Sequence, residues 1–188
     1  MKPKIGFAMS GSFCTFQDVI QSMKILSETY DIVPILSEAS FTIDTRFGMA
    51  EEFRHEIEAI CGRRIHHTLD AVEPFGPKKM LELLIVAPCT GNTIGKLANG
   101  IADSPVTFAV KAHLRNARPV VLAISTNDGL SASAENIGKL LNRKHYYFVP
   151  FRQDAPRAKS YSLVADFSLL PETVAFAMMK QQLQPILR

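Results

Sequence analysis

The stretch LLIVAPCTGNTIGKLANGIAD, residues 83–103, predicts a buried strand, a polar turn and a helix in direct succession. Residues 83–87 form an uninterrupted apolar run, which is typical of a parallel strand covered on both faces. Because Pro88 has no backbone N–H for the ladder, we expect the strand to end at Ala87. Residues 90–93 then place hydroxyl, amide and backbone donors where the next helix begins, the position at which open α/β sheets bind ligands. The stretch therefore predicts a small-molecule site at this turn.

Composition narrows the class of protein. With 188 residues and 47% hydrophobic content, residues 1–188 are expected to bury one core as a single domain without a metal or disulfide. The net charge of +3 is dispersed along the chain, which argues against a nucleic-acid partner. Cys14, Cys61 and Cys89 are odd in number and widely spaced, so we expect neither a disulfide framework nor a zinc site. These cysteines fit a reducing cytoplasm, so we expect a cytoplasmic protein. No segment approaches the ~18 apolar residues of a membrane span, so we expect no membrane partner.

Strand and helix signals alternate along the rest of the chain, as in a parallel sheet wrapped by helices. Strands are predicted at 5–9, 32–36, 83–87, 120–124 and 146–149, and helices at 15–28, 49–61, 74–82, 106–116, 135–142 and 172–183. Thr15 and Asp18 are expected to form a capping box at the start of the first helix. Residues 150–170 carry mixed signals and are open to two interpretations, a mobile flap or a docking surface. The pattern predicts a single Rossmann-like, three-layer α/β domain with a mostly parallel sheet.

Three polar turns follow strands of this predicted sheet, at 10–14, 88–93 and 125–129, and should lie along one edge. The first has Gly11 for close backbone approach, and the Ser10 and Ser12 hydroxyls ahead of a helix N-terminus suit a phosphate. Taken alone, it is an ordinary strand-to-helix turn. Three hydroxyl- and amide-rich turns on one rim favour a site for a phosphorylated heterocycle.

Residues 88–93, PCTGNT, resemble the Pro-Ala-Ser-Ala-Asn-Thr motif of the flavoprotein family of homo-oligomeric flavin-containing cysteine decarboxylases, and residues 95–103 continue the likeness. The resemblance spans nearly the whole chain and implies an FMN site completed by a neighbouring subunit, commonly in trimers or multiples of trimers. The residues that it implies for cofactor binding are Ser10, Gly11, Ser12, Ser37, Pro88, Cys89, Thr90, Asn92, Thr93, Ser125 and Asn127.

The chain also departs from the decarboxylase pattern. The catalytic histidine that those enzymes carry ahead of the central strand aligns with Pro74, which cannot act as a base. No cysteine follows Cys89, although those enzymes use one on a C-terminal flap. Ile124 and Thr126 replace the proline and methionine of the family's Pro-x-Met-Asn segment. Decarboxylation of a cysteine substrate by the family mechanism is therefore not expected, although the flavin scaffold can survive.

Within this family the chain is most similar to a branch that serves as one subunit of a synthase in spore-forming bacteria. The resemblance implies formation of pyridine-2,6-dicarboxylate from a hydroxylated tetrahydropyridine dicarboxylate in the mother cell, with NADP bound by a dehydrogenase-like partner subunit. Two alternatives stay open. In the first, the chain is an independent FMN-dependent enzyme, either a decarboxylase or a prenyltransferase. In the second, it is a non-catalytic scaffold for its partner.

A dicarboxylate substrate needs at least one cation. Lys96, one helical turn after Asn92, and Arg46, in the loop after the second strand, are the main candidates. Further candidates are three late-loop residues, for which a solvated charge is the alternative: Arg152, Arg157 and Lys159. The adjacent His66 and His67 point to opposite faces of an extended segment, so they cannot share a metal. No histidine falls in a ligand turn, which leaves the catalytic residue unidentified and favours a site shared with a partner.

Overall fold

The fold is a seven-stranded, mostly parallel sheet, seen in a computed structural model that describes residues 2–188. Its strands are β1 (Lys4–Met9), β2 (Asp31–Leu36), β3 (Leu83–Cys89), β4 (Val120–Thr126), β5 (Tyr146–Phe148), β6 (Phe151–Arg152) and β7 (Leu163–Ala165). The order β2-β1-β3-β4 is parallel throughout, and β5 also pairs in parallel with β4. The short strands β6 and β7 are antiparallel, and β7 continues the sheet from the end of β4.

Two groups of helices pack against this sheet. The helices are α1 (Phe16–Ser27), α2 (Glu38–Thr42), α3 (Ala50–Cys61), α4 (Leu69–Val72), α5 (Gly91–Ala98), α6 (Pro105–Leu114), α7 (Ala134–Leu141) and α8 (Leu170–Met178). Helix α1 contacts α3 and α8. In the other group α5 contacts α6 and α7, and α6 also contacts α4. Because every residue of β3 is buried, the sheet is covered on both faces. The predicted three-layer α/β fold is confirmed. No helix of residues 2–188 is long and apolar enough to cross a bilayer.

The end of β3 differs from the sequence prediction. The strand continues through Pro88 to Cys89, so the expected end at Ala87 is wrong. The proline is tolerated because the pairing with β4 shifts register between Val86 and Cys89, where the ladder does not need its N–H. Its carbonyl accepts hydrogen bonds from the backbone N and the Oγ of Ser10, at 3.2 and 2.8 Å.

Three helical predictions need correction. The helix predicted at 74–82 is wrong, because the helical turns lie earlier, in α4 and a 3₁₀ turn at Glu73–Phe75, and Pro77 cannot continue them. The last helix ends at Met178, since Lys180 takes a left-handed φ of 59°. The expected capping box at α1 is absent, because the Thr15 hydroxyl donates to the Ser12 carbonyl at 2.9 Å instead.

Candidate functional site

Hydrogen bonds join the polar turns at the carboxyl ends of β1, β3 and β4. The Ser10 hydroxyl accepts from the backbone N of Thr90 at 3.1 Å, linking the first turn to the second. The Oγ atoms of Ser12 and Ser125 lie 2.8 Å apart, linking the first turn to the third. The prediction that these turns share one edge of the sheet is confirmed.

The second turn leads into the N-terminus of α5. Thr90 caps this helix, and its Oγ1 accepts from the backbone N of Thr93 at 3.3 Å. The N–H groups of Gly91 and Asn92 occupy the first turn, where no intrahelical carbonyl is available. Since the positive end of the helix dipole lies at the same place, this turn favours a negatively charged ligand group.

Gly91 brings α5 into direct contact with the turn after β4. A Cβ at this position would lie 2.6 Å from Thr126 Oγ1 and 2.8 Å from both Asp128 Oδ1 and Ser133 Oγ. Asp128 organises this turn, because its Oδ1 accepts hydrogen bonds from the Thr126 hydroxyl and from Ser133 Oγ, the latter at 2.9 Å. The absence of a side chain at Gly91 therefore fixes the distance between the second and third turns.

A cleft of about 250 Å³ opens between these turns. The loop between β6 and β7 forms its remaining wall, because β7 pairs with Ser125 and Thr126 at the end of β4. The lining residues are Gly11, Ser12, Cys14, Thr15, Thr90, Ser125, Thr126, Asn127, Asp154, Lys159, Ser162, Leu163 and Val164. Hydroxyl groups and an amide dominate the polar lining, which suits hydrogen bonding to oxygen-rich anions.

Asp154 and Lys159 form an ion pair in this cleft, with Lys159 Nζ 2.9 Å from Asp154 Oδ2. The hydrogen bond and charge of Asp154 raise the pKa of Lys159 above its ordinary value. Burial alone raises the pKa of Asp154, but hydrogen bonds from Ser162 and Lys159 outweigh it, so its pKa is lowered. Both groups are therefore charged at neutral pH.

The residues that line this cleft all fall within a stretch of sequence that matches a known family. Residues 1–164 match the sequence model of the family described as Flavoprotein. This chain belongs to the Flavoprotein family. It is 43% identical to the B subunit of dipicolinate synthase from Bacillus subtilis (strain 168), over 98% of this chain and 92% of that protein.

Solved structures of Flavoprotein-like folds agree with this assignment. The crystal structure of the dipicolinate synthase B subunit from Bacillus halodurans C superposes with a TM-score of 0.91 at 42% identity, covering 100% of this chain and 98% of that chain. The FMN-dependent cysteine decarboxylase SpaF superposes with a TM-score of 0.70 at 20% identity, covering 95% of this chain and 96% of that chain. At that identity the second likeness shows the fold alone.

The residues inferred from the Flavoprotein motifs separate into three groups. Five line the cleft, namely Gly11, Ser12, Thr90, Ser125 and Asn127. Four are buried and do not line the cleft, namely Ser10, Pro88, Cys89 and Thr93. Asn92 is exposed at the start of α5, and Ser37 caps α2, where its Oγ accepts from the backbone N of Ser40 at 3.2 Å. Ser37 therefore lies at the same edge of the sheet but outside the cleft.

Neither of the two main cation candidates lines the cleft. Lys96 Nζ bonds both carboxylate oxygens of Asp103, at 2.8 and 3.0 Å. Arg46 is exposed, with its guanidinium carbon 4.8 Å from the centre of the Phe47 ring. Lys159 is the late-loop candidate that the structure brings to the cleft. Sequence reasoning missed Asp154 and Ser162, because only the pairing of β7 with β4 brings their loop to this edge.

The histidines of residues 2–188 all lie outside the cleft. The His66 ring packs edge-on against Phe75 at 5.2 Å, and the His67 ring stacks on Phe41 at 3.7 Å. His113 is buried and its Nε2 lies 3.0 Å from the Pro119 carbonyl oxygen; burial lowers its pKa to about 4. Within the same residues, no three metal-ligating side chains come together as a potential metal centre. The described part of the cleft is equipped for binding and orienting an anion, and it lacks an imidazole base.

Proposed function

We propose that this chain acts as the B subunit of dipicolinate synthase, together with an NADP-binding A subunit. The complex would form pyridine-2,6-dicarboxylate from a hydroxylated tetrahydrodipicolinate in the cytoplasm of the mother cell during sporulation. The observation that carries this proposal is the near-full-length similarity to two B subunits of this synthase, at more than 40% identity. Function is transferred far more safely at this similarity than from the fold alone, since one fold supports many activities.

The reaction requires loss of water, followed by transfer of a hydride to NADP and release of a proton, which makes the ring aromatic. The described residues of the cleft include no histidine that would take that proton. They do provide Lys159 for a carboxylate and the hydroxyls of Ser12, Thr90 and Ser125 as hydrogen-bond donors. We therefore infer that this chain binds and orients the dicarboxylate, while the A subunit supplies the nicotinamide and completes the site.

FMN is the alternative ligand of the same residues, in place of the dicarboxylate. The residues that would hold FMN are those inferred from the family motifs, with the turn at 10–12 and the N-terminus of α5 facing its phosphate. Its chemistry there would be two-electron redox transfer. The cleft, at about 250 Å³, is smaller than the ~300–1,000 Å³ typical of ligand pockets. A bound FMN would therefore extend beyond it. This supports completion of the site by another copy of the chain, in a homo-oligomer that is a trimer or a multiple of trimers.

Mixing experiments test the proposal. The chain is purified alone, its visible absorption is recorded with and without added FMN, and dipicolinate formation is measured with and without the A subunit and NADP. The proposal predicts no turnover by this chain alone and, in the mixture, a rate above that of the A subunit alone.

Turnover by the chain alone would make it an independent flavoenzyme. Full activity of the mixture with variants Ser12→Ala and Asn127→Ala would favour a scaffold that has lost ligand binding. No effect of the chain on the A subunit would contradict the assignment.

A further inference from the structure

The ion pair between Asp154 and Lys159 is placed where a ligand anion would bind. Of the described residues that line the cleft, Lys159 is the one lysine or arginine and Asp154 the one carboxylate. Cys14, in the turn after β1, lines the same cleft.

The ion pair is not needed to hold its loop in place. The backbone N of Lys159 donates to the Ala155 carbonyl at 2.6 Å, and Gln153 Nε2 donates to the Ser160 carbonyl at 2.8 Å. Side-chain exposure is 54% for Lys159 and 30% for Asp154, and pairs this exposed contribute little to stability. The pair can therefore open while the loop keeps its backbone hydrogen bonds.

An anion entering the cleft meets opposing influences. The hydroxyls of Ser12, Thr90 and Ser125 can donate hydrogen bonds to it, whereas the Asp154 carboxylate repels it. Lys159 neutralises that carboxylate as long as the two are paired. An incoming anion gains most if Lys159 turns from Asp154 towards the ligand.

We propose that Lys159 receives the anionic group of the ligand and that Asp154 competes for Lys159 as an internal anion. Anion binding then exchanges one partner of Lys159 for another. The anionic group is a carboxylate or a phosphate, which share this chemistry. The inference rests on the proposed function only where the ligand is the dicarboxylate.

Substitutions at the two positions have opposite expected effects. Lys159→Met should weaken binding of the anion about tenfold, since it removes a hydrogen bond to a charged group. Lys159→Arg should restore most of the affinity. Asp154→Asn should tighten binding about threefold, because it removes the competitor from an exposed pair. A purely structural role for the pair would make both charge-removing variants weaker binders.

The measurement is isothermal titration of the full chain with pyridine-2,6-dicarboxylate, inorganic phosphate and FMN separately. Arg157→Met and Glu172→Gln are the matched controls, because each makes the same charge change at an exposed residue outside the cleft. Melting temperatures verify folding. Protection of the exposed Cys14 thiol from a disulfide reagent gives an independent reading of cleft occupancy.

The pattern among ligands identifies the anion. A tenfold loss for the dicarboxylate identifies a carboxylate as the partner of Lys159, and a loss confined to phosphate and FMN identifies a phosphate. Both support the inference. It is overturned if Lys159→Met behaves as Arg157→Met does, if Asp154→Asn fails to bind more tightly, or if the wild-type chain binds none of the three anions. If the opposite effects are found but no dipicolinate forms with the A subunit, the proposed function fails and the inference stands.

Discussion

Replacing Gly91 by alanine should disrupt the packing that forms the cleft. The added methyl would lie 2.6–2.8 Å from three polar atoms on Thr126, Asp128 and Ser133, whereas a carbon needs well over 3 Å. Two hydrogen bonds to the Asp128 carboxylate converge there, and losing one costs about 1.5–3 kcal/mol. Adding ~1–3 kcal/mol for overpacking gives an expected loss of about 4 kcal/mol, or roughly 8–16 °C in Tm.

The assay is thermal unfolding at fixed protein concentration, with Gly138→Ala as the matched control. Gly138 lies inside α7, and no atom outside its own helix backbone comes within 4 Å of an added Cβ, so alanine should stabilise the chain there by ~0.5–1 kcal/mol. The two glycine-to-alanine changes should therefore shift Tm in opposite directions. Equal Tm values for the two variants would refute the packing argument, and an undiminished affinity of Gly91→Ala for FMN or dicarboxylate would separate this contact from the ligand site.

Other perturbations give further tests. Ser12→Ala should lower stability by about 1 kcal/mol and weaken ligand binding, measured by unfolding and titration, because it leaves the buried hydroxyl of Ser125 unpaired. The control is Ser12→Thr, which should retain both the stability and the affinity. One thiol per chain, Cys14, should react rapidly with a disulfide reagent at pH 8, because burial raises the pKa of Cys61 to about 12 and that of Cys89 further; rapid release from two thiols would contradict this. Between pH 7 and 5 the chain should lose about 2 kcal/mol of stability through His113. The pKa of this histidine is about 4 in the folded state and ~6.5 in the unfolded state, so the unfolded state takes up the proton as the pH falls. Urea unfolding at both pH values should show a smaller loss in His113→Gln, and an unchanged loss would show that this histidine is not responsible.

The parallel core of the fold follows from local sequence patterns. Residues 83–87 predict a strand because a run of apolar residues fits burial on both faces, and all of them are 0% exposed. The position of the polar turns at one edge of the sheet also follows from the sequence, because the carboxyl ends of parallel strands meet there. These features depend on periodicity and on turn residues that neighbour one another in the chain.

The rest depends on contacts between residues distant in sequence. Pro88 extends β3 because Ser10, 78 residues away, donates to its carbonyl. Helix α8 ends at Met178, and beyond it the Gln182 side chain bonds the backbone N and O of Phe148, 34 residues away, both at 2.7 Å. Lys96 is drawn away from the ligand turn by Asp103, which local spacing does not reveal.

The loop that completes the cleft shows the same limit. Residues 153–162 have no regular structure of their own, and they reach the site only through the pairing of β7 with β4. Charge and composition identify Lys159 only as one of three late-loop cation candidates, each of which could equally be a solvated charge. Only the fold places it in the same cleft as Ser12 and pairs it there with Asp154.

The central claim is that this chain acts in dipicolinate synthesis through its cleft. Selective chemical blocking of the cleft tests this claim most directly. Cys14 lines the cleft and is the exposed thiol, so N-ethylmaleimide should place one adduct there, verified by mass spectrometry. The modified chain should support dipicolinate formation no faster than the A subunit alone, whereas a Cys14→Ala chain given the same treatment should keep its own untreated rate. A singly modified wild-type chain that supports the full rate would contradict the account.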